Sequence, residues 1–371
     1  TTFPGRVALK LDKNILSTVS KGYKVILVTG TNGKTTTTSM IYNIIKEKGY
    51  SVITNNTGAN LFPGIVTTFV ENYKFFNKAE DKYAVIEVDE ANLKFITKYL
   101  TPEIITVTNL FRDQLDRYGE VYTTLSKILE GITLVPTSKL ILNGDESLLG
   151  KLDVKNPLVF YGFKTPINEN KTIDVNADSK FCKFCKTPYS YNFVTYNHLG
   201  DYYCTGCGYK RPTLKYGVDE IVELTAESST VKFGDTKIFL GQSGVYNIYN
   251  ALCAYSITKE LNIDDSCIKK SLESQSSSFG RQEIINIDDI IAIEFLEEEC
   301  SSNGGKISWR YTGMPSYLKL IMKDETIKRI YLGKYSYKTW IKLEKLITNN
   351  QDIIVLKDAQ SFIKWKKTGT L

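Results

Sequence analysis

Residues Val25–Thr38 read VILVTGTNGKTTTT, and this stretch decides how the rest of the chain is read. Apolar residues run up to Thr29. Gly30-Thr31-Asn32-Gly33-Lys34-Thr35 follows, and then a helix-like run from Ser39 to Lys48. A strand, a glycine-bearing loop and a helix N-terminus are the parts that hold a polyphosphate. Loop amides face the phosphates, a lysine reaches the β- and γ-phosphates, and a threonine hydroxyl ligates Mg²⁺. Here Lys34 and Thr35 stand at the helix start. The loop G-T-N-G-K-T is two residues shorter than the common G-x4-G-K-[ST] form. A plain glycine turn would not need Lys-Thr-Thr at that point.

Outward from the loop, strands and helices alternate. Ser51–Thr54 reads as a second strand, and Asn55–Asn60 as a polar loop suited to lining a site. Tyr83–Val88, YAVIEV, is a continuous apolar strand of the buried parallel type. It delivers Glu87, Asp89 and Glu90 at its C-terminal end, where ligands bind in open α/β sheets. Glu87 is therefore a candidate Mg²⁺ ligand opposite Thr35, the plainer alternative being that these acids cap the next helix. Ile104–Thr108 is another buried strand and runs into the polar segment Asn109–Gly119. Lys139–Asn143 and Leu158–Phe163 continue the series. The expectation is an α/β fold with a doubly wound, mostly parallel sheet.

Around this frame the chain has 371 residues, enough for two domains, with 42% hydrophobic and 24% charged residues. A formal net charge of +6 is mild and diffuse. It suits a phosphorylated substrate or an anionic membrane surface and is too diffuse to argue nucleic-acid binding, so no nucleic-acid partner is expected. No apolar run approaches the roughly 18–20 residues of a membrane span. No signal peptide is read, and cysteine usage that suits a reducing compartment leads to the expectation of a cytoplasmic location.

Cys182-Lys183-Phe184-Cys185 and Cys204-Thr205-Gly206-Cys207 form two C-x-x-C knuckles separated by eighteen residues. That spacing reads as a four-thiolate zinc ribbon, inserted at about 178–212. Four thiolates fill the coordination sphere, so the metal would be structural; a redox dithiol is the alternative. His198, the one histidine of the chain, lies between the knuckles and reads as a surface residue. Phe3-Pro4-Gly5 reads as a turn, with a short helix over Lys10–Val19. Glu220–Leu240 reads as a hairpin turning at Gly234-Asp235. Asn247 and Asn250 share one face at the start of a helix, where they would meet a base edge or serve as caps. Arg281 would meet a phosphate or form a surface ion pair. A domain junction is placed at 298/299, with a small terminal α/β domain over 299–371.

Taken together, the phosphate loop TGTNGKTT, the EVDE strand end, NLFRDQLDRYGE and the YNIYNA helix start resemble the Mur ligase superfamily. The four-cysteine insertion is similar to that of its MurT-like branch, the ligase subunits of lipid II isoglutaminyl synthases. The resemblance implies a Mur ligase central domain over 1–298 and a Rossmann-like terminal domain. It implies ATP-dependent activation of the D-glutamate α-carboxyl of lipid II, or of its muropeptide, as an acyl phosphate. Ammonia from a GatD-like glutamine amidotransferase partner would then give D-isoglutamine, in peptidoglycan synthesis at or near the inner membrane face. By the same resemblance Gly30, Thr31, Asn32, Gly33, Lys34, Thr35 and Thr36 hold the triphosphate. Thr35 and Glu87 hold Mg²⁺, Asn247 and Asn250 sit by the adenine, and Arg281 faces the phosphates. The four cysteines hold Zn²⁺. Gln114 stands where other Mur ligases carry a metal-binding histidine. The terminal run Asn303–Thr312 lacks the three acids found in the family, and no K-N-P-x-G stretch precedes it. Two alternatives follow: a Mur-type ligase working without a glutaminase, or an ATP-binding subunit without catalysis.

Overall fold

The computed structural model describes residues 2–55, 59–73, 82–111, 120–169, 171–173 and 179–275, and four strands between 290 and 356. The chain forms two compact units, Thr1–Ser277 and Ser278–Leu371.

The first unit opens with helices α1 (Phe3–Leu11) and α2 (Ile15–Val19). The turn expected at Phe3-Pro4-Gly5 is instead the first turn of α1. Proline is tolerated there because the missing N–H would have no helical partner. Next come β1 (Tyr23–Thr29), α3 (Lys34–Glu47), β2 (Ser51–Thr54) and α4 (Phe62–Glu71). They are followed by β3 (Lys82–Glu87), α5 (Leu93–Thr97), β4 (Ile104–Val107) and α6 (Glu120–Ile132). β5 (Lys139–Asn143) and β6 (Leu158–Phe163) complete the parallel run. A hairpin of β7 (Ser190–Tyr196) and β8 (Leu199–Tyr203) stands apart as its own two-stranded sheet. β9 (Tyr216–Leu224), β10 (Ser229–Phe233) and β11 (Thr236–Leu240) return to the main sheet. α7 (Val245–Glu260) and α8 (Asp265–Glu273) close the unit.

The main sheet has nine strands in the order β11-β10-β9-β6-β5-β4-β1-β3-β2. From β2 to β9 every pairing is parallel, and β10 and β11 add an antiparallel edge. β1 lies between β3 and β4, so the winding direction reverses beside it. The crevice at its C-terminal end is therefore open to a ligand. Alternation along β1 divides the core: Ile26 and Val28 pack with α3, α7 and α8, whereas Val25 and Leu27 pack with α2, α4, α5 and α6. Asn247 to Thr258 are all buried, because α7 is enclosed by the sheet, α3, α8 and the β7–β8 hairpin.

In the second unit β12 (Ile290–Leu296), β13 (Tyr317–Met322), β14 (Ile327–Tyr331) and β15 (Ile354–Leu356) form a sheet ordered β14-β13-β12-β15. β12 and β15 are parallel; the other two pairings are antiparallel. Among the described strands, only the β12–β15 pair has the parallel pairing that the Rossmann-like expectation calls for. β12 precedes the junction read at 298/299 yet is hydrogen-bonded into this second sheet. The helix read over Ser336–Thr348 lies outside the described residues.

Candidate nucleotide site and four-cysteine ribbon

The phosphate loop is held from one side by the end of β4. Thr31 N–H donates to Asn109 O at 3.0 Å, and Asn32 N–H to Asn109 Oδ1 at 2.9 Å. Asn109 Nδ2 and Thr108 Oγ1 both donate to Asn32 O, at 3.0 and 2.7 Å. Two loop amides are therefore committed to fixing the loop's shape. The amides left for an anion are those of Lys34–Thr36, at the start of α3, which carries no side-chain cap. Gly33 turns the chain into the helix with φ +81°, and a Cβ there would lie 2.1 Å from Asn250 Oδ1. Both features demand glycine.

Lys34 folds back over the loop. Its Nζ donates to Gly30 O at 2.5 Å, Thr31 O at 3.1 Å and Glu90 Oε1 at 2.9 Å. Glu90 occupies the anionic position that a phosphate oxygen would take. Thr35 Oγ1 donates to Glu87 Oε2 at 2.8 Å, and Asn60 Nδ2 to Glu87 Oε1 at 3.0 Å. Octahedral Mg²⁺ with ligands at about 2.05 Å has neighbouring oxygens about 2.9 Å apart. The Thr35–Glu87 pair fits that spacing. Asn55 holds the strand end that carries Glu87: its Oδ1 accepts from Glu87 N–H and its Nδ2 donates to Glu87 O, at 2.9 and 2.8 Å.

Asn247 and Asn250 are buried at the start of α7. Asn250 Oδ1 accepts from Thr37 Oγ1 and its Nδ2 donates to Asn247 Oδ1, both at 3.3 Å. Asn247 Nδ2 donates to Ser243 O at 2.7 Å. Asn250 thus braces the underside of the phosphate loop. Arg281 and Gln114 lie outside the described residues, as does the 303–312 run. Sequence reading passed over Glu90's pairing with Lys34 and the clamp made by Asn109. The strand-end positions of both residues were the available signal.

The four cysteines converge. Their Sγ atoms all lie within 4.8 Å of one another, with Cys182 and Cys207 at 3.6 Å and Cys185 and Cys204 at 3.3 Å. A tetrahedral zinc with bonds of about 2.3 Å has sulfurs about 3.8 Å apart. The set fits such an ion and leaves no open coordination position. Thr187, 3.4 Å from the Cys185 Sγ, together with its backbone amide, draws that thiol down to about 6. That favours the thiolate a metal needs.

The ribbon is packed onto the residues after β5. Lys183 Nζ donates to Leu148 O and Lys151 O at 2.8 and 2.6 Å; burial lowers this amine to about 8. Arg211 Nη1 donates to Asp145 Oδ1 at 2.8 Å and to Phe163 O at 2.7 Å. Tyr249 OH and Phe163 N–H both donate to Asp145 Oδ2, at 2.6 and 2.8 Å. Desolvation raises the fully buried Asp145 carboxyl, and these donors oppose the rise. His198 corrects the sequence reading: it is fully buried, and its Nε2 lies 2.7 Å from Glu146 Oε2, also fully buried. The hairpin turn carries it inward. Asn197, in the left-handed region at φ 54°, reverses the chain and aims His198 at the core.

The Mur ligase middle domain matches residues 28–205. The MurT subunit of the lipid II isoglutaminyl synthase (glutamine-hydrolyzing) of Streptococcus pneumoniae is 42% identical over 289 residues, covering 78% of this chain and 64% of that protein. Residues 28–205 are a Mur ligase middle domain. The MurT subunit of Staphylococcus aureus is 34% identical over 285 residues, 76% of this chain and 63% of that protein. The chain thus spans just under two thirds of the length of the curated relatives it matches. Among solved structures, a pseudomurein peptide ligase type C from Methanothermus fervidus superposes with a TM-score of 0.58 at 26% identity. It covers 73% of this chain and 53% of that one. MurF from Acinetobacter baumannii, at 18% identity and TM-score 0.55, shares the fold over 76% of this chain and 52% of that one. No helix among the described residues is long and apolar enough to cross a membrane.

Proposed function

We propose that this chain is the ATP-dependent ligase subunit of a lipid II isoglutaminyl synthase. The observation that carries the reading is the joint arrangement of Lys34, Thr35 and Glu87 at the reversal point of the sheet, in a chain 42% identical to a MurT subunit. A carboxylate is a poor acylating agent, so a leaving group must be attached first. The α-carboxylate of D-glutamate in the stem peptide attacks the γ-phosphorus of ATP. The bond from that phosphorus to the β,γ-bridging oxygen breaks, and ADP departs. Ammonia then adds to the acyl phosphate carbonyl, loses a proton and expels inorganic phosphate, leaving the amide of D-isoglutamine.

In this scheme the amides of Lys34–Thr36 bind the β-phosphate. Lys34 exchanges Glu90 for phosphate oxygens and stabilises charge on the transferring group. Thr35 and Glu87 would hold Mg²⁺, which would neutralise charge developing on the phosphates. Asn250 keeps the loop in shape from beneath, and Arg281 would face the phosphates. Cys182, Cys185, Cys204 and Cys207 hold a structural Zn²⁺. A glutaminase subunit supplies ammonia, and the work is done in the cytoplasm on a substrate at the membrane face. The first domain carries the ribbon at 178–212 and ends before β12, and the terminal domain includes β12 to β15.

The test is ATP- and glutamine-dependent amidation of lipid II by the chain with its co-purified glutaminase. Wild type is expected to turn over, and Lys34→Ala to lose at least about a thousandfold of the rate. Activity with ammonium alone and no gain from a glutaminase would favour the partner-free reading. The missing acids of Asn303–Thr312 give that reading its one support. Lys34→Ala retaining full function would leave an ATP-binding module without catalysis.

A further inference from the structure

The four-cysteine ribbon has two ends. The thiolates precede β7 and follow β8, whereas the hairpin turn with Asn197 and His198 lies at the opposite end. That is roughly 17 Å away by the rise of a five-residue strand. The turn end is the one that reaches toward the nucleotide loop. His198 and Glu146 form a fully buried pair at 2.7 Å. The Glu146 carboxylate also accepts from the amides of Leu110, at 3.4 Å, and Leu148, at 3.2 Å. The His198 ring packs on the ring of Phe111 with centroids 4.8 Å apart. Phe111 N–H donates to Thr31 Oγ1 at 3.1 Å, and Thr31 Oγ1 donates to Phe111 O at 3.2 Å. An unbroken series of contacts therefore runs from the ribbon tip to the second residue of the phosphate loop.

A second series runs in parallel. Thr195, on β7, meets the hydroxyl of Tyr249 at 2.5 Å. The next residue of α7, Asn250, is the one against which Gly33 is packed. The ribbon tip thus touches both supports of the loop: the end of β4 through Phe111 and the start of α7 through Tyr249. A ribbon that served only to cover apolar surface would need neither a buried histidine–glutamate hydrogen bond nor these two polar arms. Burying such a pair is costly unless its geometry is held by further hydrogen bonds.

We propose that His198 is a positioning residue for nucleotide binding, setting the Leu110–Phe111 segment through Glu146 and Phe111 and so fixing Thr31 in the phosphate loop. The proposal rests on the loop's being the ATP site. The ribbon then belongs to the nucleotide site as its outer brace.

ATP affinity is measured by titration calorimetry on the full chain, with zinc content and melting temperature recorded for each variant. His198→Ala is expected to weaken ATP binding about tenfold while zinc stays at one per chain. His198→Gln keeps a donor toward Glu146 and is expected to recover most of the affinity. Phe111→Leu leaves the buried pair intact and tests the same route should His198→Ala fold poorly; it is expected to weaken binding about threefold. In a Thr31→Val background the His198→Ala effect should shrink to under about twofold, because both act through one route. Lys232→Ala, on β10 in the antiparallel part of the sheet, should bind ATP as wild type does. ATP affinity unchanged in both His198→Ala and Phe111→Leu would overturn the proposal alone, as would effects of His198→Ala and Thr31→Val that simply add. A wild-type chain that binds no ATP would overturn the nucleotide reading and this proposal together.

Discussion

At the scale of single residues, Gly33 shows how tightly the site is specified. Its φ of +81° costs an L-residue about 1–3 kcal/mol, and its missing side chain makes room for Asn250 Oδ1. Gly33→Ala is therefore expected to destabilise the first unit by at least ~2 kcal/mol and to weaken ATP binding with it. Thermal melts with and without nucleotide would check both, and a variant that melts with wild type would count against the geometry. Gly33, Lys34 and Thr35 were legible in the sequence because loop, lysine and hydroxyl are consecutive. Glu87 was legible because a buried parallel strand ends on it. The partners Asn109, Asn60 and Glu90 were not assigned, since nothing in local spacing says which polar side chain at a strand end turns toward the loop. His198 was misread because histidine is about as often wet as dry, and its burial depends on a glutamate 52 residues away.

At the scale of elements, the ribbon was the plainest feature of the sequence and the least local in effect. Two C-x-x-C knuckles declare four ligands without any knowledge of the fold. The small apolar cluster beneath them contains Tyr189, Tyr191, Val194 and Tyr202. So small a core depends on metal for much of its stability. Cys204→Ser is expected to abolish stoichiometric zinc binding. It should also expose the 179–212 segment to limited proteolysis while the main sheet keeps its secondary structure. Zinc analysis and fragment mapping read this directly; a protease-resistant, zinc-free ribbon would contradict it. Sequence reading placed Asn247 and Asn250 at a helix start but gave no sign that α7 is buried on all sides. Enclosure on every side is a property of neighbours, invisible to periodicity.

At the scale of the whole molecule, the sheet is tied to α7 at the far end from the nucleotide. Glu260 is 7% exposed and accepts from Lys139 Nζ at 2.6 Å, from Tyr216 OH at 2.7 Å and from Lys215 Nζ. Burial alone would raise this carboxyl, but these three donors outweigh it and hold it down at about 2. The folded value lies below the ordinary one near 4.5. The clamp's stabilisation is therefore full above about pH 4.5 and is lost as pH falls toward 2. Glu260→Gln should cost ~1–2 kcal/mol at neutral pH and flatten the acid limb of the stability curve in that window. Chemical denaturation between pH 2 and 7 measures it, and parallel curves for the two proteins would refute it. The winding of this sheet was readable because buried parallel strands separated by helices allow few arrangements. In the second unit the strand order was not readable, because β15 pairs with β12 across more than fifty residues, a contact that local spacing does not announce.

One pairing has a meaning for how such a chain could be built. β6 and β9 are hydrogen-bonded neighbours, with Tyr161 opposite Tyr216, although more than fifty residues, the ribbon among them, separate them in sequence. The main chain therefore leaves the sheet and re-enters beside its point of departure. A segment with such closely spaced ends is a module that can be gained, exchanged or excised while the strands on either side keep their register. A shortened chain bridging Lys164 to Lys215 with a brief linker would keep its architecture and forfeit the brace. Inheritance of the catalytic scaffold and inheritance of the ribbon are thus separable events.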